Sequence, residues 1–158
     1  YMLTRDEVEE FVNLDKIDGQ DESEIEYPQA IIAFGYPEEG EALFRSSSAI
    51  HDRHKMKHIC KTYDEKWFNA LNALRVAPSI SNCQPWTLEQ RENGFDIFEN
   101  EHKKKSDIEK YIKMSMGVAL KHFEIGCRYD NIEIEYRKFD VKNKRKKSYF
   151  ISVLEKTI

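Results

Sequence analysis

A chain of 158 residues that is 40% hydrophobic and 12% aromatic is one ordinary domain or most of one, with enough apolar matter for a real core. Charged residues at 34% give a heavily solvated surface, but the apolar residues cluster in periodic runs, which is not a disordered composition. The net charge of -4 argues against nonspecific nucleic-acid binding over the whole surface, and no apolar run approaches the roughly 20 residues that span a bilayer.

Thr4 is placed to cap a first helix, with Glu7 at capping-box spacing and Leu3, Val8, Phe11, Val12 and Leu14 as its apolar stripe. An acidic, glycine-containing stretch from Asp18 to Glu24 reads as an exposed loop. Pro28 to Phe34 is a short apolar run bounded by Gly35 and Pro37, which favours a buried strand. A charged, helix-permissive stretch follows, and Arg53 to His58 is a local basic cluster in an acidic chain.

Trp67, Leu71 and Leu74 share a helical face. That helix is expected to end before Pro78, because the residue preceding proline avoids the α region. Ala77 to Trp86 reads as a non-repetitive loop. Thr87–Gln90 and Phe95–Phe98 flank Glu92-Asn93-Gly94, a strong hairpin signal. A second helix opens at Asp107 and carries Ile108, Tyr111, Ile112, Met116, Ala119, Leu120, Phe123 and Cys127 on one stripe. Its small residues Ser115, Gly117 and Ala119 suggest that a backbone or a flat ligand approaches there. Ile132–Phe139 and Ser148–Leu154 read as strands joined by a basic turn from Lys142 to Lys147, read as a solvated hairpin tip.

The most specific stretch runs from Arg75 to Trp86. Its two prolines fix φ and make a stiff loop that can present Ser79, Ser81 and Asn82 in a defined geometry. Such a loop suits a ligand edge rich in donors and acceptors. A capping turn that merely joins helix to strand is the competing reading. The histidines form no convincing metal set: His54 and His58 are four apart, but no glutamate follows His54. Cys60, Cys83 and Cys127 have neither CxxC nor zinc-ligand spacing and read as reduced thiols in a cytoplasmic protein.

The segment Ala77-Pro78-Ser79-Ile80-Ser81-Asn82-Cys83-Gln84-Pro85-Trp86 resembles the A-P-S-x-x-N-x-Q-P-W signature of the nitroreductase family. Ala33-Phe34-Gly35-Tyr36-Pro37 is similar to the family's late strand ending in G-Y-P. Arg53-His54-Lys55 is similar to the basic pair that follows it and holds FMN phosphate. Met116 to Phe123 is similar to the family's long central helix. Ordinary members carry A-P-S-x-x-N-x-Q-P-W early and G-Y-P late, whereas G-Y-P comes first here. The order resembles the subset in which two half-repeats are fused. Residues 1–60 then correspond to the tail of a first half-repeat and residues 61–158 to a second, with the chain looking like the C-terminal portion of such a protein.

The resemblance implies an α+β fold, an antiparallel or mixed sheet flanked by helices. It implies an FMN-dependent oxidoreductase that takes hydride from NAD(P)H and reduces a nitroaromatic, a quinone or a similar acceptor. Pro78, Ser79, Ser81, Asn82 and Gln84 would face the flavin or anchor the loop, and Arg53, His54 and Lys55 would face its phosphate. No catalytic side chain and no metal are implied. Nucleic acid and membrane are not expected as partners, and a homo-oligomer completing the flavin site is consistent with the family. The competing expectation is a catalytically degenerate nitroreductase-like module that binds flavin or another protein.

Overall fold

A computed structural model of the chain describes residues 38–39, 52–101 and 109–156. The expected first helix, acidic loop and G-Y-P strand lie outside these residues. The elements below all belong to the compact unit Phe44–Ile158.

A short helix α1 (Met56–Ile59) is followed by a 3-10 turn (Glu65–Trp67) and α2 (Phe68–Val76). Trp67, Ala70, Leu71 and Leu74 are buried along one face, as helical spacing requires. The helix stops where proline dictates: Ala77 turns to extended geometry (φ -55, ψ 138) ahead of Pro78. A second 3-10 turn (Ile80–Asn82) leads into β1 (Trp86–Arg91) and β2 (Gly94–Asn100).

Arg91 pairs with Gly94, so Glu92 and Asn93 form the hairpin loop and the glycine opens the strand. Gly94 is needed for packing as well: a Cβ there would stand 2.0 Å from the Val153 carbonyl oxygen. The long helix α3 (Glu109–Tyr129) then crosses to β3 (Ile134–Arg137) and β4 (Lys147–Glu155). Asn131 ends α3 in left-handed geometry (φ 57), with Asn131 N–H bonded to Arg128 O and Ile132 N–H to Cys127 O. That pair of bonds is a Schellman cap.

The four strands form one antiparallel sheet in the order β1-β2-β4-β3, and the fold is α+β. Between Ile97 and Phe98 the β2–β4 pairing shifts and skips Phe150. One sheet face carries Trp86, Leu88, Phe95, Ile97 and Val153 into a common core with Leu71, Leu74, Met116, Phe123 and Cys127. Its centre is a three-ring cluster. Trp67 stacks on Phe123 at 5.9 Å, and Phe95 meets Trp67 and Phe123 edge-on at 5.3 and 5.8 Å. The other sheet face combines a polar cluster, in which Asp96 accepts from Arg91 at 2.9 Å and from the buried Ser152 hydroxyl at 2.5 Å, with apolar residues, the buried Phe98 meeting Tyr149 edge-on at 6.0 Å.

Among the described residues no helix is long and apolar enough to cross a membrane. All three cysteines are free, Cys60 and Cys127 buried and Cys83 half-buried.

Candidate functional site

The loop from Ala77 to Pro85 is held at three places. At its start, Ile80 N–H donates to Ser115 Oγ at 3.0 Å, and that hydroxyl donates to Tyr111 O one turn earlier on α3. Within the loop, Ser79 O accepts from Asn82 N–H at 3.0 Å and Ser79 Oγ accepts from Gln84 N–H at 2.9 Å. At its end, Pro85 O accepts from Asn100 N–H at 2.7 Å, which locks it to the last residue of β2. Trp86, the next residue, is buried in the core.

Three non-glycine residues of this short loop are left-handed: Ser81 (φ 47), Asn82 (φ 53) and Gln84 (φ 45). Each costs of order 1 kcal/mol or more, and such costs persist only where surrounding contacts enforce them. The tethers above are those contacts. They also account for the N–H groups of Ile80, Asn82, Cys83 and Gln84, which all find partners inside the protein.

The basic segment lies against this loop. Arg53 donates to Asn82 Oδ1, and Asn82 Nδ2 donates to Asp52 O at 3.1 Å. Gln84 Oε1 accepts from His54 N–H at 2.7 Å, while Gln84 Nε2 donates to Asp52 O at 3.1 Å and to Asn82 O at 3.2 Å. Immediately downstream, Lys55 precedes α1, and Cys60 forms a parallel bridge with Leu88 on the outer edge of β1. Arg53 is half-buried, whereas His54, Lys55 and Lys57 are exposed.

The structure thus brings together Arg53, His54, Asn82 and Gln84 directly, with Ser79 linked through Gln84 and Lys55 next in the chain. Pro78 and Ser81 are exposed on the loop's outer side, and neither reaches the basic segment by hydrogen bonding. The sequence reasoning missed Asp52, whose backbone carbonyl takes two side-chain amides, and the bridging role of Ser115. A buried hydroxyl four residues after Tyr111 was the available signal for the latter. Burial raises the Cys83 thiol above its ordinary value, partly offset by a hydrogen bond with the Ser79 side chain.

Chemically, the Arg53 guanidinium held on a stiff polar loop, with His54 and Lys55 exposed beside it in the chain, suits a small anion. An open depression of about 580 Å³ lies elsewhere, between the end of α3 and β3, lined by Glu124, Arg128, Ile134, Tyr136 and Lys156 among others. Its charges neutralise one another, Arg128 with Glu124 at 2.5 Å and Lys156 with Glu133 at 3.6 Å.

A family model described as "Putative TM nitroreductase" matches residues 14–127, a span that includes the basic segment, the loop and most of α3. No curated protein matches the chain, and no solved structure does.

Proposed function

The chain belongs to the TM nitroreductase family, and from that premise we propose that it is an FMN-dependent oxidoreductase moving hydride from NAD(P)H to a nitroaromatic, quinone or similar acceptor in the cytoplasm. One observation carries the proposal beyond family membership. Asp52–His54 and the two-proline loop are about thirty positions apart, yet Asn82 and Gln84 fasten one to the other. A phosphate monoester carries close to two negative charges and calls for several donors. Arg53, His54 and Lys55, with Lys57 two residues further on, are a donor set of that kind.

In this reading the cations hold the phosphate, and the rigid loop of Pro78, Ser79, Ser81 and Asn82 orients the polar edge of the ring system, anchored by Gln84. When bound, FMN supplies the redox chemistry, and the chain supplies binding, orientation and electrostatics. No side chain need act as nucleophile or acid. A homo-oligomer in which a neighbouring copy completes the flavin site belongs to the same proposal.

A second reading, a catalytically degenerate module, is favoured by one specific feature. The Asn82 and Gln84 carboxamides and four loop N–H groups already have partners within the protein. Anaerobic addition of NADH or NADPH to the FMN-reconstituted protein separates the two. Bleaching of the flavin absorbance, reversed by an acceptor, supports the enzyme. Flavin that stays oxidised supports the module.

A further inference from the structure

We propose that Gln84 is a positioning residue whose buried carboxamide fixes the backbone on both sides of Arg53, so that this cation is set in place before a phosphate arrives. The phosphate half of this inference rests on the FMN reading above; the clamp itself rests on geometry alone.

Gln84 is only 2% exposed, and its carboxamide is fully engaged. The oxygen accepts from His54 N–H, and the two amide hydrogens go to Asp52 O and Asn82 O. That uses every donor an amide side chain has. Burying such a group without partners would be costly, so the bonds are obligatory once the side chain is inside. The backbone is committed too, since Gln84 is left-handed (φ 45) with its own N–H held by Ser79 Oγ.

Among the described residues, the hydrogen bonds that hold residues 52–54 come from Gln84 and Asn82. Residues 52–55 are neither helix nor strand, and α1 begins only at Met56. Ordering a free residue costs backbone entropy. A segment held in advance spares an incoming anion that cost, which is preorganisation. Asn82 closes the other side of the clamp through Arg53 and Asp52. Asn82 is exposed and can exchange partners with a ligand, whereas Gln84 is enclosed and cannot.

The test uses the intact chain, FMN, riboflavin as the phosphate-free control, and amide hydrogen exchange. Gln84→Met keeps length and bulk but removes all three bonds. Gln84→Asn keeps a carboxamide that is one methylene too short, and asparagine tolerates a left-handed φ well, which guards against a variant that simply fails to fold. In both variants His54 N–H should exchange about five- to tenfold faster, the loss expected from one hydrogen bond. Exchange at core amides such as Phe95 should not change. FMN affinity should fall several-fold further than riboflavin affinity, because both flavins lose the loop's anchor but only FMN loses a phosphate site set in advance. Unchanged His54 exchange, or an equal loss for both flavins, overturns the proposal. A wild-type chain that takes up neither flavin overturns the FMN reading and the phosphate half with it. His54 exchange then still decides whether Gln84 holds the segment.

Discussion

Gly126 on α3 lies so close to Ala70 on α2 that a Cβ on the glycine would stand 2.5 Å from Ala70 Cα and 2.8 Å from Asn69 O. Both obstacles are backbone and cannot swing aside. Gly126→Ala should therefore destabilise the fold by about 1–3 kcal/mol, the cost of overpacking a tight contact. Gly117, on the same helix, has nothing within 4 Å of its would-be Cβ. Gly117→Ala should stabilise by about 1 kcal/mol through helix propensity. Urea unfolding of the two variants should move the midpoint in opposite directions.

Phe123 is fully buried and touches both Trp67 and Phe95. Phe123→Ala should cost about 3–5 kcal/mol, as large aromatic truncations in a core do. Phe68, on the outer side of α2, is 48% exposed, and Phe68→Ala should stay within about 1 kcal/mol of the parent. Thermal or denaturant midpoints of the pair check whether the core lies on this side of α2.

Burial pushes the Cys60 thiol up to about 11 from an ordinary 9.0, with a backbone hydrogen bond at Thr62 pulling it back and Glu89 adding to the rise. Burial likewise raises Cys127 to about 12, helped by Asp130, Glu124 and Glu155. Below the ordinary thiol value both folded and unfolded chains carry neutral thiols, so the two groups give no pH dependence there. Above it the unfolded chain ionises and the folded chain does not, which favours unfolding. Stability should fall progressively from pH 9 through about 11 and 12. Cys127→Ala should make that fall shallower over the whole range from pH 9 to about 12, in urea midpoints measured under reductant.

Asn82→Ala removes the acceptor for Arg53 and a donor to Asp52 O. FMN affinity should drop about tenfold or more, the range for losing hydrogen bonds that involve a charged group. Because Asn82 is exposed, fold stability should change by no more than about 1 kcal/mol, part of it from alanine at φ 53. Asn82→Gly suits that φ and should show the same affinity loss with less effect on unfolding.

The sequence made some of this legible because its signals are local. Helical spacing placed Trp67, Leu71 and Leu74 on a buried face, and Pro78 set the helix end at Ala77. The apolar stripe of α3 was equally plain, and the hairpin around Asn93 was found with its strands in place. What escaped depends on distant partners. Gly117 looked like the close-approach position, but α2 meets α3 at Gly126, and nothing local distinguishes the two. Gly94 reads as a turn glycine, but its need for no side chain comes from Val153 on β4. At the loop, the residue types announced polar recognition. That Asn82 and Gln84 spend their amides on residues 52–54 could not be read from spacing, since a side-chain bond across thirty residues leaves no periodic trace.

In the proposed function, Arg53, fastened to the two-proline loop through Asn82, holds the phosphate of a flavin. The most direct measurement of this is equilibrium titration of the purified chain with FMN, followed by flavin fluorescence and by absorbance of the desalted protein. Saturable uptake that leaves the protein yellow, and that weakens in Arg53→Ala far more for FMN than for riboflavin, is the predicted result. A chain that stays colourless at saturating FMN, or that binds FMN equally well without Arg53, contradicts it.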